Sequence, residues 1–177
     1  ALLLLLEGIE SFLVILSAVL VHEFGHIFFI ELCKAKITRI DVEVLGALIV
    51  YDYADLDADI LISLGGAAFN FFAAAAGTAF FVFYQNLYLL LFICANLAFA
   101  FVNLLPVAGL DGGRVLHACL LKKKDIDVAE RMTAKISTGA KVFLILVSAG
   151  MIYLSGFNTA MIFLFMLNLI QLTNTAR

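Results

Sequence analysis

The sequence predicts an all-α polytopic membrane protein, with about five transmembrane helices, a remnant of an earlier one and a small membrane-surface β-hairpin. Three observations predict it. Hydrophobic residues make up 64% of the 177-residue chain and charged residues 14%, against about half and about a quarter in an average soluble domain. Several uncharged apolar stretches approach or exceed the roughly 18 residues that mark a membrane span. All eleven basic residues sort onto one side of the resulting topology. Mean hydropathy of +1.11 excludes an ordinary water-soluble globule, and equally a disordered or fibrous chain. A net charge of −3 gives no basis for nucleic-acid binding, which needs a basic face. Cys33, Cys94 and Cys119 form no CxxC and read as buried reduced thiols.

The chain opens on Ala1 and runs directly into Leu2 to Leu6. Five leucines are far short of the ~20 residues a span needs, and no basic segment precedes them as in a signal peptide. They read as the end of a truncated N-terminal span. Fuller apolar segments follow at about 12–33, 60–83, 87–121 with a break near 104–111, 140–155 and 157–174. Segments 7–11, 34–59, 84–86 and 122–139 are polar enough to leave the membrane. If the spans alternate, 7–11, Gln85-Asn86 and Ser155-Gly156 share one side, which holds no Lys or Arg. The other side holds Lys34, Lys36, Arg39, Lys122, Lys123, Lys124, Arg131, Lys135 and Lys141, with Arg114 near its edge and Arg177 at the tail. The positive-inside rule then places 34–59, 122–139 and the C-terminus in the cytosol.

Within 34–59, Ile40, Val42 and Val44 alternate with Asp41 and Glu43, the period of a strand. Gly46 could supply a turn before a second strand from Leu48 to Tyr53. A β-hairpin over 37–53 at the cytosolic surface follows. In the next span Ala73 to Ala76 allow close helix packing. The acidic run Asp52, Asp55, Asp57 and Asp59 lacks the spacing of a calcium loop and reads as a solvated surface.

The chemistry starts at His22-Glu23-Phe24-Gly25-His26, an HExxH. On a helix, residues four apart share a face, so both imidazoles can reach one zinc ion at roughly 2.0–2.1 Å. Glu23 can then act as general base on the attacking water. The motif lies inside an apolar segment, where one Glu and two His cost on the order of a few kcal/mol. Without a function that cost has no offset.

Two histidines and a water leave one zinc position open. His117 and Asp111 are the nearest further candidates. Asp111 follows the chain's only Pro, Pro106, in a stretch that also carries Gly109, Gly112 and Gly113. Pro breaks the helix, and broken backbone at membrane depth persists only where protein or a wet cavity surrounds it. The break therefore turns Asp111 into the interior. Asp111 precedes Lys122 by roughly 16 Å of helix, and His22 and His26 precede Lys34 by roughly 18 and 12 Å. The two spans run in the same direction, so the three groups share one level, inside the cytosolic boundary. His117 lies about two turns nearer the surface and reads as a packing or interfacial residue.

Gly66 and Asn70 are four apart in the next span. They fit either a small-residue helix contact or an amide donating to a substrate carbonyl or oxyanion. Asn103 carries the same two readings, whereas Asn96 and Asn168 read as links between helices.

HEFGH in one span, GGAAFN in the next and NLLPVAGLDGG in the third together resemble the site-2 protease family of intramembrane zinc metalloproteases. The resemblance covers about residues 12 to 121. It implies one zinc ion per chain, with His22, His26 and Asp111 as ligands, Glu23 as the base, and Asn70 and Asn103 helping to hold substrate beside Gly66. The wording NLLP…LDGG and the span count look most like the stage IV sporulation subgroup, whose members process a membrane-tethered pro-sigma factor. Ala67 stands where the family's middle motif usually has Pro. The expectation is a single metalloprotease domain over 1–177, with a catalytic core at about 12–121 and extra helices at about 140–174. Its partners would be the lipid bilayer, a membrane-spanning or membrane-tethered protein substrate, and a regulatory membrane protein. Two other functions compete. A broken helix with a buried acid also marks transport sites, but no matching broken segment occurs in a second half and HExxH is unnecessary there. An inactive protease-like regulator would not need Glu23.

Overall fold

The computed structural model describes residues 8–43, 46–52 and 55–154. The Leu2–Leu6 remnant and the 157–174 span lie outside these residues. The elements are α1 (Ile9–Leu32), β1 (Ile37–Glu43), β2 (Gly46–Tyr51), α2 (Leu56–Tyr84), α3 (Leu87–Asn103), α4 (Asp111–Leu121) and α5 (Ile126–Leu154). They fall into two compact units, Ala1–Leu104 and Leu105–Arg177. Among the described residues, three helices are long and apolar enough to cross a membrane: Ile9–Leu32, Leu56–Tyr84 and Ile126–Gly150. At 17 residues α3 is shorter, about 26 Å of helix.

In the first unit α1, α2 and α3 pack against one another. The interfaces are built from small and polar side chains. Ala18, Ser63, Gly65, Gly66, Ala67, Asn70, Ala74 and Asn96 are buried. Leu20, Phe24, Phe72, Phe80 and Phe83 point outward, and Cys94 is likewise exposed, as is Cys119 in the second unit, so these thiols are free but not buried as expected. Water would penalise that arrangement. Lipid does not, because apolar side chains gain nothing from each other there, and close backbone approach sets the packing. The approach is tightest where α1 crosses α2: a Cβ on Gly25 would stand 2.4 Å from the Gly65 carbonyl oxygen. Phe24, Phe28 and Phe29 of α1 surround Phe69 of α2 at ring separations of 5.7, 5.3 and 6.5 Å.

The hairpin forms as the alternation predicts. β1 and β2 pair antiparallel, with Glu43 opposite Gly46 and a bulge between Ile37 and Arg39. Gly46 is the first residue of β2 rather than the turn. The hairpin docks on α1 and α2 through Ile49, which packs in a small core with Ile30 and Ile62. The Tyr51 hydroxyl donates to Asp59.

Two boundaries differ from the hydropathy reading. α2 begins at Leu56, not near 60, because Asp55 caps it: its carboxylate accepts from Ala58 N at 2.7 Å. Asp57 and Asp59 sit in the first turn, where the helix dipole favours negative charge. Asp52, Asp55 and Asp57 are exposed, so the acidic run is the solvated surface expected, and its later residues also begin a helix. The polar segment 122–139 is not a loop throughout, since α5 runs unbroken from Ile126 to Leu154. Hydropathy registers whether side chains suit lipid, whereas backbone hydrogen bonding continues past the point where polarity changes. The turn at 84–86 forms where expected. Gln85 adopts a left-handed conformation at φ 41° and the Asn86 side chain caps α3 by accepting from Tyr88 N at 2.7 Å.

In the second unit, the expected break separates α4 from the preceding helix over residues 104–110. Gly109 takes φ +96° there, a conformation that costs other residues but not Gly. The segment is fastened to α5 by Ala108 N, which donates to Ser137 Oγ at 2.7 Å. His117 Nδ1 lies 3.3 Å from Thr133 Oγ1, a helix-to-helix contact in keeping with a packing residue.

Candidate metal centre

His22 and His26 lie one turn apart on α1 and are 4% and 8% exposed. Their Nε2 atoms face each other at 3.1 Å, with the rings edge to face. Each Nδ1 is held from behind by α2. His26 Nδ1 lies 2.8 Å from the Ile62 carbonyl oxygen, which can only accept, so the proton is on Nδ1. His22 Nδ1 lies 2.7 Å from Asn70 Oδ1 and donates to it on the same assignment. Both imidazoles then present an Nε2 lone pair to the same point. Two lone pairs at that separation repel unless a proton or a metal ion lies between them. Zinc bonds of 2.0–2.1 Å in a tetrahedral arrangement put neighbouring ligand atoms about 3.3 Å apart. The pair therefore fits such an ion.

Gly66 explains how the imidazoles fit against α2. A Cβ at this position would stand 2.5 Å from His26 Nε2 and 2.6 Å from His22 Cε1. The structure thus sets Gly66 beneath the histidine pair. Gly66→Ala is expected to weaken zinc binding about tenfold or more, since overpacking typically costs 1–3 kcal/mol and 1.4 kcal/mol is a factor of ten. Competition with a chelator of known affinity measures this, and unchanged zinc affinity would refute the steric role.

Asn70 is fully buried, and its polar atoms are engaged within the protein. Besides holding His22, its Nδ2 donates to the Ala18 carbonyl at 2.9 Å and to Asn96 Oδ1 at 2.8 Å. Both amide hydrogens are therefore engaged within the protein in this arrangement. Asn96 joins α3 to α2, the interhelical role its sequence context suggests. Asn103 closes α3 and donates to the Phe99 carbonyl of its own helix at 3.1 Å. Glu23 adjoins His22 on α1 and is partly buried. In the second unit Asp111 is the first residue of α4 and is 9% exposed.

The sequence did not indicate which groups hold the far sides of the rings. A backbone carbonyl such as that of Ile62 leaves no trace in residue type, and a buried amide can face either of two neighbours.

A model of the peptidase family M50 matches residues 83–149, a stretch that includes NLLPVAGLDGG and lies beyond HEFGH. The chain is 27% identical over 140 residues to a zinc metalloprotease of Methanocaldococcus jannaschii, covering 76% of this chain and 41% of that protein. It thus spans less than half the length of that relative. A solved structure of a site-2 protease from Methanocaldococcus jannaschii superposes with a TM-score of 0.72 at 22% identity, over 94% of this chain and 76% of that one. The fold is therefore similar to that of the solved site-2 protease, and the sequence is similar to the M50 family model over residues 83–149 and to the archaeal zinc metalloprotease.

Proposed function

We propose that this chain is the membrane-embedded catalytic domain of a zinc metallopeptidase that cuts a membrane-spanning or membrane-tethered protein. The observation that carries the reading is the histidine pair, with both Nδ1 atoms held by acceptors and both Nε2 lone pairs converging at 3.1 Å. Asp111 is proposed as the third ligand. Two imidazoles and one carboxylate are a donor set that could hold a metal ion, and three protein ligands with an open position suit a catalytic zinc rather than a structural one. When bound, the ion supplies a Lewis acid that polarises a carbonyl and acidifies water.

The remaining chemistry belongs to the chain. Glu23 takes the proton of the attacking water and delivers it to the leaving nitrogen. Asn103, the last residue of α3, would help orient the substrate carbonyl. A helical substrate hides its carbonyls in hydrogen bonds and must unwind before attack. The hairpin offers an outer strand edge that could hold the unwound peptide by β-augmentation. Substituting Pro along that edge of β1 is expected to lower cleavage while zinc content stays constant; unaltered cleavage would discard this role.

The positive-inside argument supports a cytosolic placement of 34–59, 122–139 and the C-terminus, with the centre toward the cytosolic side of the bilayer. A membrane-tethered transcriptional regulator, such as the pro-sigma factor of the sporulation subgroup, is the substrate class suggested by the NLLP…LDGG likeness. The test is direct. The purified chain should carry one zinc ion and cleave a membrane-tethered substrate, with loss of cleavage on chelation and recovery on adding zinc. A chain that binds no zinc, or cleaves equally without it, would overturn the reading.

A further inference from the structure

The lone pair that His22 offers depends on an amide being the right way round, and that orientation is set from a third helix. Asn96 Nδ2 donates to the Phe92 carbonyl of its own helix at 2.9 Å. A carbonyl only accepts, so Asn96 Oδ1 is turned toward Asn70. Asn70 Nδ2 meets two acceptors, Asn96 Oδ1 at 2.8 Å and the Ala18 carbonyl at 2.9 Å. Its Oδ1 is thereby turned to His22 Nδ1 at 2.7 Å. Asn70 and Asn96 are both 0% exposed, so water does not substitute for a lost partner. Reversing the Asn70 amide would oppose its oxygen to two other oxygens. It would also aim an N–H at His22 Nδ1, moving the imidazole proton to Nε2, the atom needed for a metal.

We propose that Asn96 is a positioning residue. It touches neither metal nor substrate, yet sets zinc affinity by fixing the Asn70 amide and through it the His22 tautomer. The proposal rests on the zinc reading above. Partners that orient a metal-bound histidine typically contribute 10- to 100-fold in affinity. α3 also steadies the ring itself through Phe99, whose ring lies 5.8 Å from that of His22.

The experiment measures zinc dissociation constants by chelator competition for wild type, Asn96→Leu, Asn70→Asp and the double variant, with thermal unfolding in detergent to establish folding. Wild type should bind one zinc ion. Asn96→Leu should weaken binding about 10- to 100-fold. Asn70→Asp presents only oxygen acceptors to His22 whichever way it turns, so adding Asn96→Leu to it should change affinity little. That loss of effect in one background separates positioning from general packing damage, which would weaken both backgrounds alike. Equal loss in both backgrounds, or wild-type affinity in folded Asn96→Leu, would overturn the proposal. If Asn96→Leu does not fold, Asn96→Asp decides. Its neutral form can still donate to the Phe92 carbonyl and accept from Asn70, so it should bind near wild type, and a tenfold or greater loss would overturn the proposal. Absence of zinc from wild type would instead defeat the underlying metal reading.

Discussion

Glu23→Gln is expected to abolish peptide hydrolysis while one zinc ion per chain is retained. Gln keeps the size and polarity of Glu but cannot accept a proton from water at neutral pH. General acid–base groups typically contribute about 10²- to 10⁴-fold, and Glu23 is assigned both halves of that work, removing a proton before attack and returning it to the leaving nitrogen. The metal should be unaffected, because His22 and His26 are oriented by Asn70 and Ile62 rather than by Glu23. Parallel assays of zinc content and cleavage of a membrane-tethered substrate measure both consequences. Cleavage persisting in Glu23→Gln would reject the mechanism, and would leave a zinc-binding membrane protein of another kind.

Asp111→Ala is expected to have the second large effect, on the metal itself. Removing the carboxylate takes away one of the three proposed ligands and the only anionic one. Zinc content of the purified variant should fall from one ion per chain to a small fraction under conditions where wild type stays loaded, and cleavage should fall with it. Asp111 lies in the first turn of α4 behind the Gly109 turn, where the helix dipole favours its negative charge. Thermal unfolding in detergent establishes that the variant is folded, so that loss of zinc is not loss of structure. A variant that retains full zinc occupancy would remove Asp111 from the ligand set.

Much of this arrangement is legible in residue types and spacing. The histidine pair follows from two imidazoles four residues apart on a helix. The break before Asp111 follows from Pro106 and the glycines around it. The hairpin follows from the alternation of Ile40, Asp41, Val42 and Glu43. What hydropathy misplaced was the ends of helices. At Asp55 a capping carboxylate extends α2 into a segment that looks like an acidic surface. At Ile126 a polar stretch stays helical because its backbone bonds do not depend on lipid. The network behind the histidine pair was less legible for a different reason. Asn70 shares a face with Gly66, and both were visible as a small residue and an amide. Whether that amide faced a substrate or a histidine depends on Ala18 and Asn96, which lie 52 and 26 residues away. Contacts of that separation are fixed by how helices cross, and Gly25 against Gly65 is where α1 and α2 cross.

The central claim is best tested by zinc-edge X-ray absorption on the purified, metal-loaded chain. A first shell of nitrogen and oxygen at about 2.0–2.1 Å, with the outer-shell pattern of two imidazoles, is the expected result. Sulfur at about 2.3 Å, supplied by Cys33, Cys94 or Cys119, or a spectrum unchanged when His22 and His26 are both replaced by Ala, would contradict it.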